Sequence, residues 1–228
     1  MTGPSSIITI DGPSGSGKST ISRLLATKLG YTYLDTGAMY RAVGLKAIQT
    51  NTDPRDEAAL HRLLFDLDIT LVPDGEETRV YLDGRDVTLA IRTPEMSMIA
   101  SEISARPLVR EKLTVLQREL AKKGRVVAEG RDMGTVVFPD ARHKFYLDAT
   151  PEERANRRYK QLQDKGIMTD YQDLLAQIIK RDHDDSTRDH APLKPAPDAV
   201  KIDSSHMDIN GVIAFIFNRI HDTLDKRG

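Results

Sequence analysis

The residues with the clearest chemical meaning form a short loop near the start of the chain that could hold a chain of phosphates. The stretch GPSGSGKS at 12–19 matches the pattern G-x-x-x-x-G-K-[ST] in full. Glycines let backbone N–H groups ring a phosphate, and a helix starting near Lys18 directs its positive dipole end at the same anion. Lys18 would reach the β- and γ-phosphates, and the Ser19 hydroxyl would ligate Mg²⁺. The predicted triphosphate-binding residues are Gly12, Pro13, Ser14, Gly15, Ser16, Gly17, Lys18, Ser19 and Thr20.

Arginines in three further stretches could bind a second phosphate. Arg41 ends the stretch DTGAMYR at 35–41, and Arg131 lies in EGRD at 129–132. Arg181 and Arg188 bracket an acidic segment. Ligands of a parallel α/β sheet bind beyond the carboxyl ends of its strands, where the phosphate loop and the first two arginines are all expected. Two reacting anions must be brought together against Coulomb repulsion, which fixed guanidinium groups offset, so the pattern favours a kinase that acts on a phosphate-bearing acceptor.

Three more arginines lie on a helix predicted to begin at the stretch TPEE, residues 150–153, which has capping-box spacing and a proline in the first turn. Arg154, Arg157 and Arg158 have the spacing i, i+3 and i+4, so they share one face. Two interpretations are open for this face. It is either a solvated surface paired with neighbouring acidic residues, or part of a mobile lid that closes over the transferring phosphoryl group and hinges at Gly166.

Short apolar strands alternate with amphipathic helices along most of the chain. This alternation predicts an α/β fold with a three-layer core, in which helices cover both faces of a mostly parallel sheet. The strands are predicted at residues 7–10, 31–34, 126–128, 144–147 and 199–202. Helices are predicted near 18–30, at 38–49 and 54–66, from 93, and at 108–124, 150–166 and 209–224. A turn is predicted at 35–37 and an irregular loop at 182–198, where Asp, His and Pro are frequent.

The region around residues 60–90 departs from this pattern. Its apolar residues alternate with polar ones, and the Asp-Gly pairs at 74–75 and 83–84 favour tight turns. The region therefore predicts a small antiparallel meander within an insertion that spans about 37–105. The remaining residues, 1–36 and 106–228, would form the phosphate-loop core, with a short helical lid at about 151–170.

Composition excludes several classes of protein. The 228 residues carry a formal net charge of −1, which argues against a protein that binds nucleic acid or anionic membranes through a general basic field. The chain has no cysteine, so disulfides, thiol nucleophiles and Cys-ligated metals are excluded. No apolar run approaches the ~18 residues of a membrane span, and the stretch MTGPSSIITIDG does not have the pattern of a secretory signal. We expect a cytoplasmic monomer with no nucleic-acid or membrane partner.

Several of these stretches together resemble the bacterial cytidylate kinases, of the nucleoside monophosphate kinase group. The resemblance covers nearly the whole chain, and the stretches DTGAMYR and GRDMGTVVFPDA are its most specific parts. The insertion is similar to the enlarged NMP-binding domain of that family. The motifs that carry the resemblance are IDGPSGSGKST at 10–20, LDTGAMYR at 34–41, EGRDMGTVVFPDA at 129–141, KFYLDATPEERANRR at 144–158, RDHDDSTR at 181–188 and APLKPAPDAVKIDSS at 191–205.

The resemblance implies transfer of the γ-phosphate of ATP to CMP or dCMP with Mg²⁺. It implies that the acceptor phosphate is held by Arg41, Arg131 and Arg188, that Arg181 and Asp185 address the sugar, and that Ser101, Arg110 and Asp132 read the cytosine. The cytosine N4 amino group can donate to a carboxylate, whereas uracil presents an acceptor there. Thr36 and Tyr40 are further candidate substrate residues, and Asp35 is a candidate in the outer shell of the metal. Catalysis is assigned to Lys18, Mg²⁺ and the arginines Arg41, Arg131, Arg157, Arg158 and Arg188.

Two alternative functions are weighed against this one. The first is a kinase for another small acceptor, such as shikimate or UMP. The second is a phosphate-loop switch or regulatory ATPase, but the guanine-binding pattern N/T-K-x-D of GTPase switches is absent from the sequence. No general base is evident, and phosphoryl transfer of the loose kind does not require one because it relies on alignment and charge stabilisation.

Overall fold

The computed structural model of the protein describes residues 7–75 and 77–225. The first half of the stretch MTGPSSIITIDG and the first six residues of the predicted core lie outside the described residues, as does Glu76. In chain order the elements are β1 (Ile7–Asp11), α1 (Lys18–Leu29), β2 (Thr32–Asp35), α2 (Thr36–Gln49), α3 (Glu57–Phe65), β3 (Ile69–Asp74), β4 (Glu77–Leu82), β5 (Arg85–Asp86), α4 (Pro94–Ser104), α5 (Pro107–Leu120), β6 (Val126–Gly130), a π-helical turn (Met133–Val137), β7 (His143–Asp148), α6 (Pro151–Asp164), α7 (Tyr171–Thr187), β8 (Val200–Asp203) and α8 (Ile209–Asp225).

Five parallel strands form the main sheet in the order β2-β6-β1-β7-β8. Successive residues of β6 point to opposite faces, so Val127 packs with the core beneath α1 and α8, while Val126 and Ala128 pack with the core beneath α2 and α5. Helices therefore cover both faces, and the predicted three-layer α/β core is confirmed. The carboxyl ends of β1, β2 and β6 lie side by side, with Asp11 opposite Gly130 and Asp35 opposite Glu129.

The predicted meander is present as a second, antiparallel sheet in the order β3-β4-β5. Val80 and Leu82 of β4 are buried, and they belong to the same apolar core as Leu63 of α3 and Val43 of α2. Helix α4 packs along α2, which follows β2 in the chain. The meander and its helices are therefore attached to the side of the main sheet on which β2 is the edge strand.

Two glycines allow the phosphate loop to approach β7 closely and to turn into α1. A Cβ at Gly12 would come within 2.0 Å of the Leu147 carbonyl oxygen of β7, so a side chain cannot be accommodated there. Gly17 has φ +93°, a backbone conformation that favours glycine, and it directly precedes the first residue of α1. The loop therefore passes close over β7 and turns sharply into α1.

The prediction of an irregular loop over 182–198 is wrong for its first six residues, because α7 continues to Thr187. Asp170 caps α7 by accepting hydrogen bonds from two backbone N–H groups. The acidic residues of the last turns have cationic partners, since Lys180 pairs with Asp184 and Arg131 pairs with Asp185. Residues whose type favoured a loop are thus held in a helix by ion pairs and by packing of Leu174 and Ile178 against α6.

Two predicted helix starts are also wrong by a few residues. The side chain of Asp35 accepts a hydrogen bond from Ala38 N at 2.8 Å, so residues 36 and 37 begin α2 and do not form a separate turn. Asp56 caps α3 in the same way, and α3 therefore begins at Glu57 instead of residue 54. Within residues 7–75 and 77–225, no helix is long and apolar enough to span a membrane.

Candidate active site

Lys18 is enclosed by the phosphate loop that connects β1 to α1. Its side chain is 5% exposed, and its ammonium donates to the Pro13 carbonyl oxygen at 2.6 Å and to Ser16 Oγ at 3.5 Å. Burial, followed by the positive charge of Arg131, lowers the pKa of Lys18 to about 7. An anion in the loop would favour the protonated form, so Lys18 is prepared to gain charge when a polyphosphate binds.

Glu129, the second-last residue of β6, lies beside the first turn of α1. Ser19 Oγ donates to one of its carboxylate oxygens at 3.0 Å, and the Tyr33 hydroxyl donates to the other. Burial, and then the nearby negative charge of Asp35, raises the pKa of Glu129. Asp35 itself caps α2 and pairs with Arg41 at 3.3 Å. A hydroxyl and a carboxylate therefore stand together next to the place where the triphosphate is expected.

This pair of oxygens fits Mg²⁺ in a nucleotide site. Mg²⁺ usually keeps several waters and is held by one or two carboxylates together with substrate phosphates. In the described part of the chain, no group of three or more His, Asp or Glu residues is arranged to hold a metal without a nucleotide. Ser19 and Glu129 supply the donor set that a metal shared with phosphates requires.

Three arginines surround the buried carboxylate of Asp185, and we call these four residues the arginine cluster. Arg131 Nε lies 3.0 Å from Asp185 Oδ2, Arg188 Nη1 lies 3.6 Å from Oδ1, and Arg181 Nε lies 4.0 Å from Oδ2. Burial alone would raise the pKa of Asp185, but the three guanidinium groups more than offset it and hold that pKa below its ordinary value. Three positive charges share one negative charge, so the arginine cluster retains an excess of positive charge.

The arginine cluster lies against the phosphate loop. Arg181 Nη1 is 3.4 Å from Ser14 Oγ, and burial, followed by the charge of Arg131, lowers the pKa of Arg181 to about 10. Three buried guanidinium nitrogens of this region have no hydrogen-bond partner among the described residues: Arg188 Nη2, Arg181 Nε and Arg41 Nε. Buried donors without partners are costly, so the site is suited to an anion that would accept from them.

Arg110 and Asp132 form a buried ion pair on the insertion side of the arginine cluster. Arg110 Nη2 lies 2.5 Å from Asp132 Oδ2, and Nη1 donates to the Ser104 carbonyl oxygen at 3.0 Å. The guanidinium carbon lies 5.4 Å from the centroid of the Tyr40 ring, and burial raises the pKa of Tyr40 to about 12. Ser101 is half-buried one turn before Ser104, whose hydroxyl donates to the Ser101 carbonyl oxygen. Sequence reasoning placed Ser101, Arg110 and Asp132 in one subsite, and α4, α5 and β6 bring their segments together here.

The three arginines of α6 have different surroundings. Arg154 is 3% exposed and donates to the Ser14 carbonyl oxygen at 3.1 Å, while its Nη2 pairs with Asp182. Arg157 donates to the carbonyl oxygens of Ser16 and Ser204. Arg158 is partly exposed, and burial, followed by the charge of Arg41, lowers its pKa. The solvated-face interpretation is therefore wrong for Arg154, which is buried and donates to a carbonyl oxygen of the phosphate loop.

The comparison with known proteins assigns this arrangement to a family. The family model described as Cytidylate kinase matches residues 8–222. The chain belongs to the cytidylate kinase family. A protein named Cytidylate kinase from Caldicellulosiruptor bescii is 52% identical, with 90% of this chain and 91% of the relative covered. A protein of the same name from Carboxydothermus hydrogenoformans is 48% identical, with 91% of this chain and 93% of the relative covered. Another from Streptococcus mutans is 47% identical, with 96% of this chain and 97% of the relative covered.

Sequence reasoning missed three residues of this cytidylate kinase family member that contact the site. Glu129 was noticed only as the first letter of the stretch EGRD, although a carboxylate at the end of a strand beside a phosphate loop is a signal for a metal ligand. Arg154 was grouped with the possible lid, and its contact with Ser14 depends on how α6 packs. Asp11 ends β1 and accepts two backbone hydrogen bonds from the segment after Asp132, a contact that no local pattern in the sequence indicates.

Proposed function

We propose that the protein transfers the γ-phosphoryl group of ATP to CMP or dCMP, giving ADP and CDP or dCDP. The observation that carries this proposal is the contact between the phosphate loop and the arginine cluster, made by Arg181 and Ser14. A triphosphate in the loop and an anion in the cluster would lie side by side. Membership of the cytidylate kinase family names the acceptor as a cytidine monophosphate.

The acceptor phosphate is placed by this proposal between Arg41, Arg131 and Arg188. Arg188 Nη2 and Arg41 Nε are buried without partners, and these donors would find phosphate oxygens. Arg181 and Asp185 would contact the sugar, and Thr36, whose hydroxyl now donates to the Glu129 carbonyl oxygen at 2.6 Å, would border the phosphate. An oxygen of the acceptor phosphate forms the new bond to the γ-phosphorus while the bond to the β,γ-bridging oxygen breaks.

Cytosine would be read by Ser101, Arg110 and Asp132, with Tyr40 beside them. The Asp132 carboxylate can accept from the N4 amino group, and Arg110 and Ser101 can donate to the ring acceptors. Uracil would present its O4 acceptor to the same carboxylate, which is repulsive. Uracil also has an N–H donor at position 3, where cytosine has an acceptor, so the subsite favours cytosine over uracil by two donor–acceptor mismatches.

Charge stabilisation carries the catalysis in this proposal. Lys18 lies inside the loop where the β- and γ-phosphates would be, and Arg157 and Arg158 lie on α6, where Arg157 donates to the Ser16 carbonyl oxygen of the loop. Bound Mg²⁺ would neutralise charge on the phosphate oxygens, with Ser19 and Glu129 as its protein neighbours and Asp35 further out. The residues need only align the two phosphates and offset the charge that develops between them.

Movement and assembly are part of the same proposal. Residues 37–105 would close over the nucleoside monophosphate. Residues 1–36 and 106–228 would form the core, within which only the lid at about residues 151–170 would move. The protein would act as a monomer. These assignments rest on the family resemblance and on the position of α6 against the phosphate loop.

A panel of acceptors tests the proposed function. ATP turnover with Mg²⁺ is measured with CMP, dCMP, UMP, AMP and shikimate, and without any acceptor. The expected result is rapid turnover with CMP or dCMP and much slower turnover with the others. Equal turnover with UMP would contradict the proposed base subsite, and turnover that needs no acceptor would point to the ATPase alternative.

A further inference from the structure

A buried carboxylate outside the proposed site joins the phosphate loop to the acceptor side. Asp11 is the last residue of β1, directly before Gly12, and it is 3% exposed. Its Oδ1 accepts from Met133 N at 2.8 Å, and its Oδ2 accepts from Gly134 N at 2.8 Å. Both oxygens are thus used by the first two residues of the π-helical turn, which directly follows Arg131 and Asp132.

The contact is tight on the side of the turn. A Cβ at Gly134 would lie 3.1 Å from Thr9 Oγ1 and 3.4 Å from Asp11 Oδ2, so the segment is pressed against β1. Burial raises the pKa of Asp11 to about 6, and the carboxylate is therefore ionised and accepts at both oxygens at pH 8. The geometry is that of a clamp between the end of β1 and the backbone after Asp132.

The two segments that Asp11 joins differ in how else they are held. The phosphate loop has independent supports, since Gly12 packs on β7 and Arg154 and Arg157 donate to loop carbonyls. On the acceptor side, Arg131 and Asp132 are held through their side chains by Asp185 and Arg110, whereas the backbone N–H groups of Met133 and Gly134 bond to Asp11. Loss of the carboxylate should therefore loosen the acceptor side more than the triphosphate side.

We infer that Asp11 is a positioning residue for the acceptor subsite, which fixes the backbone that carries Arg131 and Asp132. The inference rests on the proposed function, because it needs CMP as the acceptor. Asp11 touches neither phosphate directly in this scheme. It acts through the π-helical turn.

The test is Asp11→Asn, assayed at pH 8 with CMP and UMP. The asparagine keeps one acceptor oxygen but turns its amide nitrogen towards the other backbone N–H, which leaves a buried donor unpaired. The KM for CMP should rise about tenfold and the CMP/UMP ratio of kcat/KM should fall about fivefold, while the KM for ATP stays within about twofold. A surface control is Asp208→Asn, because Asp208 is an exposed carboxylate that also accepts a backbone N–H, that of Gly211 at the start of α8, on the other face of the sheet.

The outcomes separate this inference from the proposed function. A wild-type protein that does not phosphorylate CMP overturns the proposed function and, with it, the inference. The inference alone is overturned if the wild-type protein phosphorylates CMP but the Asp11→Asn variant shows equal changes, or no change, in its KM values for CMP and ATP. Equal losses in Asp11→Asn and Asp208→Asn would show that the effect is not specific to the acceptor subsite and would also overturn the inference.

A second measurement covers the case in which Asp11→Asn does not fold. In the wild-type protein without nucleotide, amide hydrogen exchange at Met133 and Gly134 should be as slow as exchange in the buried strand β1. Fast exchange at these two amides would mean that the clamp does not hold the turn, and would overturn the inference without any variant.

Discussion

Removing the carboxylate of Asp132 should separate base choice from phosphate binding. Asp132 is 2% exposed and Arg110 is 6% exposed, and their closest atoms are 2.5 Å apart. In Asp132→Ala the Arg110 guanidinium keeps its bond to the Ser104 carbonyl oxygen and its place over the Tyr40 ring. It remains buried without a carboxylate to balance its charge, so both stability and recognition should change.

The size of each effect follows from this geometry. Breaking a buried ion pair by removing one partner costs about 3–5 kcal/mol. In a chain of this size ~1 kcal/mol shifts the melting temperature by about 2–4 °C, so Asp132→Ala should melt roughly 6–20 °C lower. Cytosine would lose the acceptor for its amino group, and uracil would lose its repulsive neighbour, and the two changes together are worth about 1.5–3 kcal/mol. The CMP/UMP ratio of kcat/KM should therefore fall about 10- to 100-fold, towards unity.

The assay combines thermal unfolding without nucleotide and steady-state kinetics with CMP and UMP. A double variant, Arg110→Met with Asp132→Leu, is the matched control, because apolar residues of similar volume commonly replace a buried ion pair without loss of stability. It should regain the melting temperature but not the preference for CMP. A preserved CMP/UMP ratio in Asp132→Ala, with only the melting temperature lowered, would refute the reasoning and leave Asp132 with a structural role.

Three further predictions concern the phosphates. Arg131→Ala should lower kcat/KM for CMP about a thousandfold, because a guanidinium that holds the acceptor phosphate is lost, while ATP affinity measured by calorimetry stays near that of the wild type. Since the pKa of Lys18 is about 7 before ATP binds and phosphates favour the ammonium, ATP binding should take up a proton above pH 7, and its affinity should fall as the pH rises from 7 to 9; equal calorimetric enthalpies in buffers of different ionisation heat would contradict this. Gly12→Ala should abolish ATP binding or folding, because its Cβ would meet the Leu147 carbonyl oxygen at 2.0 Å, and normal ATP affinity in that variant would refute the assigned loop geometry.

Much of the fold could be predicted because its signals are local. The strand at 7–10, the glycine loop and the helix from Lys18 follow one another in a pattern that has few alternatives. The meander could be predicted from its alternating apolar residues and two Asp-Gly pairs. The error at 182–187 has a physical cause, since Asp182 and Asp185 of α7 pair with arginines from other parts of the chain, and a local sequence pattern does not show such partners.

The candidate site also contains residues that local signals predict and residues whose roles depend on tertiary contacts. Arg41, Arg131 and Lys18 could be located because each follows a strand end, and the topology of a parallel sheet brings strand ends together. The role of Glu129 could not be predicted from the sequence, because it depends on tertiary contacts. Glu129 lies in β6, which pairs with β2, and its carboxylate accepts from Tyr33 and Ser19. The pairing of β1 with β6 and the π-helical turn, which no propensity predicts, set Asp11 beneath Met133.

The charge of the arginine cluster bears on which of the weighed functions fits best. Arg131, Arg181 and Arg188 share one carboxylate, and burial lowers the pKa of both Arg181 and Arg188, so their charged forms are held there at a cost. A regulatory ATPase would have no second anion to stabilise these charged guanidinium groups. A singly charged acceptor would stabilise them only in part. A phosphate monoester carries close to two negative charges at neutral pH and accepts at three oxygens. The unpaired donors of Arg188 and Arg41 therefore favour a nucleoside monophosphate over shikimate.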